Sequence, residues 1–225
     1  MATGSQTDKC QVVNMSSSSS ACSNLPSYPL SPQGAAGGVI HGTPIICGGL
    51  ISGSRTDSCY LFEKSTNSWK LHCSIKSRRA YHASAVSMDA LFITGGRDGH
   101  NNDRASTEFI HANGTVTSGT DLPLARHGHC MVTLHNGKVM ILGSESPSSL
   151  RKNVLIYDPE SDTYTTGPSL SYDRRHSACT IFNSALHDGR PVVLAAAGPD
   201  NSAEVFDYTK ANQWQTSIVH YIIFK

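Results

Sequence analysis

Three histidines recur at one interval, His82, His129 and His176, each 47 residues from the next, and each follows closely on an arginine: Arg79, Arg126 and Arg174 or Arg175. Imidazole is a common metal ligand, and His127 with His129 lie two apart, which on an extended strand puts both on one face. A metal centre needs its ligands once, however. A constellation that returns with every repeat reads as a hydrogen bond or packing contact made in each unit, so no metal and no cofactor are expected. The arginines suggest different chemistry, because a guanidinium grips carboxylates and phosphates with two parallel hydrogen bonds. Covalent or phosphoryl chemistry finds no support: there is no nucleophile elbow, phosphate loop or HExxH helix, and Gly95-Gly96-Arg97-Asp98-Gly99 follows a strand-like run without opening a helix.

Seven cysteines, Cys10, Cys22, Cys47, Cys59, Cys73, Cys130 and Cys179, are an odd number and contain no CxxC pair. They read as buried free thiols behaving as small hydrophobes, with disulfides in an exported protein as the alternative. Cys47 ends one apolar run and Cys59 begins the next, a spacing that suits a bridge between neighbouring strands. The 225 residues carry a net charge of +1 with 38% hydrophobic and 16% charged residues, ordinary for a soluble domain and without global attraction to nucleic acid or membrane. No run approaches the roughly 18 apolar residues that cross a bilayer. Met1 to Ser20 does not have the layout of a signal peptide, so a cytoplasmic location is expected, with export as the alternative. Only in the exported case would the sequons Asn14-Met15-Ser16 and Asn113-Gly114-Thr115 matter.

The elements that must hold these residues are short and β-rich. Residues 1–43 are rich in Ser, Gly and Pro and read as a disordered leader. Residues 44–216 alternate apolar runs with turn residues, and 217–225 form a short apolar tail. Runs ending in glycine recur at Gly48-Gly49, Gly95-Gly96 and Gly143-Ser144, the first glycines 47 and 48 residues apart. Trp69, Val116 and Tyr164 follow each first glycine by 21 residues, and a distorted fourth copy runs from Val192 through Ala197-Gly198 to Trp214. The second unit divides into strands Ala83–Met88, Ala90–Thr94, Ser106–His111 and Thr115–Thr117, denoted a, b, c and d, with Asn113-Gly114 supplying the tight c–d turn. Four antiparallel strands at this period are the blades of a β-propeller.

These residues resemble the kelch-repeat family: Gly48-Gly49 with Tyr60, Phe62 and Trp69, then Gly95-Gly96 with Phe109, then Gly143 with Tyr157 and Tyr164. Ser144 and Ala197 depart from the glycine pair, and residues 186–190 insert into the fourth copy. The expected fold is all-β, a kelch-type propeller of about three and a half to four blades, incomplete and read as a piece of a longer protein with further blades or domains. Gly48, Gly49, Gly95, Gly96, Gly143, Trp69, Tyr164 and Trp214 are then scaffold.

In an a-b-c-d blade the b–c and d–a loops emerge at one end of the propeller. Eleven of the 18 basic residues fall there against six acidic ones, so that end has an excess of about five positive charges. Arg55, Arg97, Arg104, Arg126, Arg151, Lys152 and Arg174 are the expected partner-binding residues. The resemblance implies a non-catalytic interaction module that takes a protein or acidic peptide at this end, as an adaptor, a cytoskeletal binder or an extracellular recognition domain. The family also contains a sugar mutarotase and a copper radical oxidase, so a propeller enzyme is the alternative.

Overall fold

The computed structural model describes residues 10–12, 23–199, 202–210 and 213–217. Within them the chain forms four four-stranded antiparallel sheets, each ordered a-b-c-d. Blade 1 comprises Ala36–Ile40, Thr43–Cys47, Ser58–Glu63 and Ser68–Ser74. Blade 2 comprises Ala83–Ser87, Ala90–Thr94, Thr107–His111 and Val116–Gly119. Blade 3 comprises Cys130–Thr133, Val139–Leu142, Val154–Asp158 and Thr163–Thr166. Blade 4 comprises Ala178–Ser184, Arg190–Ala196, Ala203–Phe206 and Gln215–Ser217. The strands read from the second repeat are thus reproduced to within two residues.

The core lies between blades. Ala83, Ala85 and Phe92 of blade 2 pack on Met131, Val139, Ile141, Leu155 and Tyr157 of blade 3, whose other face meets Val193, Ala195 and Phe206 of blade 4. Strands covered on both faces read as continuous apolar runs. Accordingly every residue of Ala90–Thr94 and Val139–Leu142 is buried, whereas burial alternates along Thr43–Cys47, in the first blade.

The first glycine of each pair is there because the next blade approaches too closely for a side chain. A Cβ on Gly95 would stand 2.4 Å from the Arg126 carbonyl oxygen and 2.9 Å from the His129 ring, and its φ of +62° disfavours any other residue. The outer aromatics have a matching role, tying strand d to the linker that precedes the same blade. Trp69 Nε1 donates to Pro26 O (3.2 Å), Tyr164 OH to Thr120 O (3.0 Å) and Trp214 Nε1 to Pro168 O (2.9 Å). Val116 replaces the donor in blade 2.

The leader reading over residues 1–43 needs correction. Ala36–Ile40 is strand a of blade 1, and the run Ala36-Gly37-Gly38 gives no sequence signal of a strand because its small residues lack strand character. Blade 2 demands them: a Cβ on Gly38 would lie 2.9 Å from both Leu91 and Val86. Tyr28 is 4% exposed, wedged edge-on against Tyr60 and Trp69. Cys10–Val12 pairs with Ser23–Leu25, and the rest of 1–22 lies outside the described residues, as does the tail after Ser217.

The free-thiol expectation is also corrected. Cys47–Cys59 and Cys130–Cys179 are disulfides, the first across strands b and c of blade 1 and the second stapling blade 3 to blade 4. Cys73 is free.

Candidate functional site

Four backbone positions step around the propeller axis at the b–c/d–a end. Tyr81 N donates to Gly34 O (2.7 Å), Gly128 N to Tyr81 O (2.9 Å) and His176 N to Gly128 O (2.8 Å). All four residues have positive φ. His176 is therefore the counterpart of Tyr81 and Gly128, not of His82 and His129 as the constant spacing suggested. The extra residue lies upstream, in the a–b turn of blade 3, so Arg174 and the linker after it follow Arg126 and its linker by 48 residues rather than 47. His127 and His129 do not share a strand face either, because Gly128, at φ +64°, turns the chain between them. His129 Nε2 lies 2.8 Å from Thr94 Oγ1 at the blade 2–blade 3 contact, and His82 packs on Gly48 at the preceding one. Both are interblade wedges. Burial, then the charge of Arg79, pushes His82 down to about 3, partly opposed by the Cys47 carbonyl. Burial likewise holds His129 well below the ordinary imidazole range.

Beside this arc is a cavity of about 460 Å³ lined by Gln33, Tyr81, Arg97, His127, Glu145 and His176. Tyr81, His127 and His176 form a triangle of edge-packed rings with centroids 5.9 to 6.3 Å apart. His127 Nδ1 lies 2.9 Å from Asp103 Oδ1, which also accepts from Arg97 Nε at 3.1 Å. Burial lowers the His127 pKa, and Asp103 works against that shift. Glu145 faces Arg175 at 3.4 Å and His176 at 3.8 Å. Behind the mouth the channel continues as about 540 Å³ lined by small residues with His82 and His129. Among the described residues no group of three His, Cys, Asp or Glu could hold a metal ion.

The arginines divide by depth. Arg79, Arg126 and Arg174 are 0–1% exposed and brace the b–c turn of the blade each introduces. Arg79 donates to Gly95 O, Ser106 O and Ser106 Oγ, all at 2.9 Å, and pairs with Glu108 at 2.5 Å. Arg174 donates to Ala197 O and Ser202 O and pairs with Glu204 at 2.9 Å. Arg126 reaches Asn153 Oδ1 at 2.9 Å but pairs with no carboxylate among the described residues, because Leu155 occupies the strand-c position of Glu108 and Glu204. Burial draws the Arg126 pKa down to about 10. Arg126 and Arg174 are thus removed from the expected partner-binding set, since a guanidinium enclosed by its own blade presents nothing to a ligand.

The other five remain at the surface, but three have carboxylate partners. Arg97 pairs with Asp103, Arg104 with Asp98 at 3.5 Å and Arg151 with Asp173 at 3.7 Å. Arg55 Nη2 donates to Asn101 Oδ1 at 2.5 Å, and Lys152 is exposed. With three of the eleven basic residues interior, the surface excess at this end falls to about two charges. Tyr81, His127, Glu145 and Gln33 were not among the expected site residues. The repeat step, carried from strands into linkers, would have brought Gly34, Tyr81 and Gly128 to one ring.

No family model matches the chain. Among curated proteins, it is 30% identical to Kelch-like protein 22 of Rattus norvegicus over 62% of the chain and 24% of that protein. It is 24% identical to Beta-scruin of Limulus polyphemus over 58% and 15%, and 27% identical to Spermatocyte protein spe-26 of Caenorhabditis elegans over 59% and 23%. The chain therefore spans about a quarter or less of the length of these relatives. The solved structure of YjhT superposes with a TM-score of 0.76 at 11% identity, covering 96% of this chain and 84% of that one, a likeness of fold. In its glycine-ended repeats and four-stranded blades the chain is similar to these kelch-repeat proteins, and its fold is that of a kelch-type β-propeller.

Proposed function

We propose that the chain is a protein-interaction module that receives an acidic peptide or an acidic segment of a partner protein across the b–c/d–a end. The observation that carries this reading is the axial mouth, where linkers and loops from all four blades meet around a cavity of about 460 Å³. Arg55 and Lys152, without carboxylate contacts among the described residues, supply the net attraction. Arg97, Arg104 and Arg151 exchange their own carboxylates for those of the ligand, which keeps the surface paired in its free state. A desolvated, two-pronged Arg–carboxylate contact is stronger than an exposed one, so seating the ligand over the mouth improves on the pairs it displaces.

Fluorescence anisotropy with a panel of Glu-rich and phosphoserine peptides tests this. The wild-type chain is expected to bind with an affinity that falls with salt, and Arg55→Glu with Lys152→Glu to weaken binding by about tenfold or more, at about 1.4 kcal/mol per decade, without changing the melting transition. Unaltered binding by the double variant would overturn the proposed face.

The enzyme alternative draws on one observation, that His127, Glu145 and Tyr81 border the same cavity with groups able to move protons, His127 being held by Asp103. Saturable turnover of free sugars, lost in His127→Ala, would favour it.

A further inference from the structure

Three cysteines stand in a row across strands b, c and d of blade 1. Cys47 is opposite Cys59, and Cys59 is opposite Cys73 on its other side. Directly opposed residues project from the same face of a sheet, and all three pack in or against the cluster of Ile40, Ile45, Ile75, Leu91 and Ile93. The backbone fixes their spacing. Gly48 N donates to Ser58 O and Ile75 N to Asp57 O. Cys47–Cys59 is therefore a non-hydrogen-bonded pair, with Cα atoms 4.1 Å apart. Cys59–Cys73 is a hydrogen-bonded pair, which sets Cα atoms about 5.5 Å apart, inside the roughly 4.4–6.8 Å that a disulfide bridges.

We propose that blade 1 contains an internal thiol–disulfide exchange site in which Cys73 competes with Cys47 for Cys59. The Cys73 thiolate attacks Cys59 Sγ, the new Cys59–Cys73 bond forms as Cys47–Cys59 breaks, and the electron pair leaves on Cys47. The proton lost by Cys73 is regained at Cys47. One disulfide and one thiol are present before and after, so the step needs no oxidant.

Position gives the exchange a consequence. Cys47–Cys59 closes the b–c loop of residues 48–58, which contains the small hairpin Leu50–Ile51 with Ser54–Arg55. Exchange opens that closure and moves the bond to the c–d pair, so the pairing of Cys59 decides how tightly the Arg55 loop is held. Cys47 is fully buried among aliphatic side chains, a poor setting for a leaving thiolate, which makes Cys47–Cys59 the resting isomer. Burial, with the charge of Glu108, raises the Cys73 thiol, so exchange accelerates with pH.

The test is non-reducing peptide mapping of the purified full chain. It is incubated without reductant at about pH 7 and about pH 9, then acid-quenched and labelled with N-ethylmaleimide; the rate should rise up to about tenfold per unit while the attacking thiol is mostly protonated. The expected result is Cys47–Cys59 with Cys73 labelled at the start, then a Cys59–Cys73 species with Cys47 labelled that grows faster at the higher pH. Cys73→Ser should abolish the second species and slow proteolysis within residues 48–58. Cys47→Ser, oxidised with glutathione disulfide, should form Cys59–Cys73 directly. If Cys59–Cys73 is absent from the wild-type map at both pH values, the proposal fails, whether or not either variant folds.

Discussion

Blade 3 differs from blades 2 and 4 by one side chain in its bracing contact: Leu155 stands where Glu108 and Glu204 receive a buried guanidinium. The energetics of the three arginines therefore differ although their positions correspond. Removing Arg79 strands Glu108, 2% exposed, as an uncompensated buried charge, a change that typically costs about 3–5 kcal/mol. Arg126 lacks a counterion among the described residues, so replacing it with an apolar side chain of similar length relieves a desolvation cost. Urea unfolding should show Arg79→Met losing about 3–5 kcal/mol and Arg126→Met losing no more than about 1 kcal/mol. Equal losses would show that the hydrogen bonds to the turn, not the ion pair, dominate. The division of the arginines was partly legible in the sequence. Arg79, Arg126 and Arg174 stand at a fixed 31 residues after the first glycine of the preceding unit and are internal, whereas Arg55, Arg97, Arg104 and Arg151 lie in the b–c loops and are at the surface. Depth could not be read from residue type, because the same group serves both purposes.

At the scale of elements, the interblade wedges make the fold sensitive to acid. His82 titrates near 3 when folded and near the ordinary imidazole value of about 6.5 when unfolded. Between those values the unfolded chain binds more protons, so the stabilisation is complete above about pH 6.5 and is lost as pH falls toward 3. His129 shifts in the same direction. Unfolding free energies at pH 7 and 4.5 should show the wild type losing about 2–3 kcal/mol more than His82→Gln over that interval, while parallel losses would contradict burial of a neutral imidazole.

The strand framework of blades 2 and 3 was legible because glycine-ended apolar runs and Asn-Gly turns are enforced by local geometry. Strand a of blade 1 was not, because Gly37 and Gly38 answer to the neighbouring Leu91 and Val86 rather than to any strand propensity. The fourth histidine linker was misaligned because the a–b turn of blade 3 between Thr133 and Val139 is one residue longer than that between Val86 and Leu91 in blade 2, so the repeat step becomes 48 from there on while His129 and His176 remain 47 apart. The disulfides depend on pairing across strands and between blades, which spacing alone leaves open among seven cysteines.

For the molecule as a whole, the same stacking that fixes the blades gathers their linkers at one end and leaves the Cys130–Cys179 staple between blades 3 and 4. Two disulfides suit an oxidising compartment better than a reducing one. That bears on the exported alternative and on which partners are encountered. The end where the linkers meet has only a modest positive excess, most of its arginines being paired. Recognition there must come from geometry at the mouth together with exchange of carboxylate partners, not from a strong long-range field. The most direct measurement of this account is the backbone amide NMR spectrum of the full chain titrated with a Glu-rich peptide. The account predicts shifts concentrated at Arg55, Tyr81, Arg97, His127, Glu145, Arg151 and His176, with the c–d hairpin at Asn113-Gly114 on the opposite end unmoved. Shifts centred on that hairpin, or spread evenly over both ends, would contradict it.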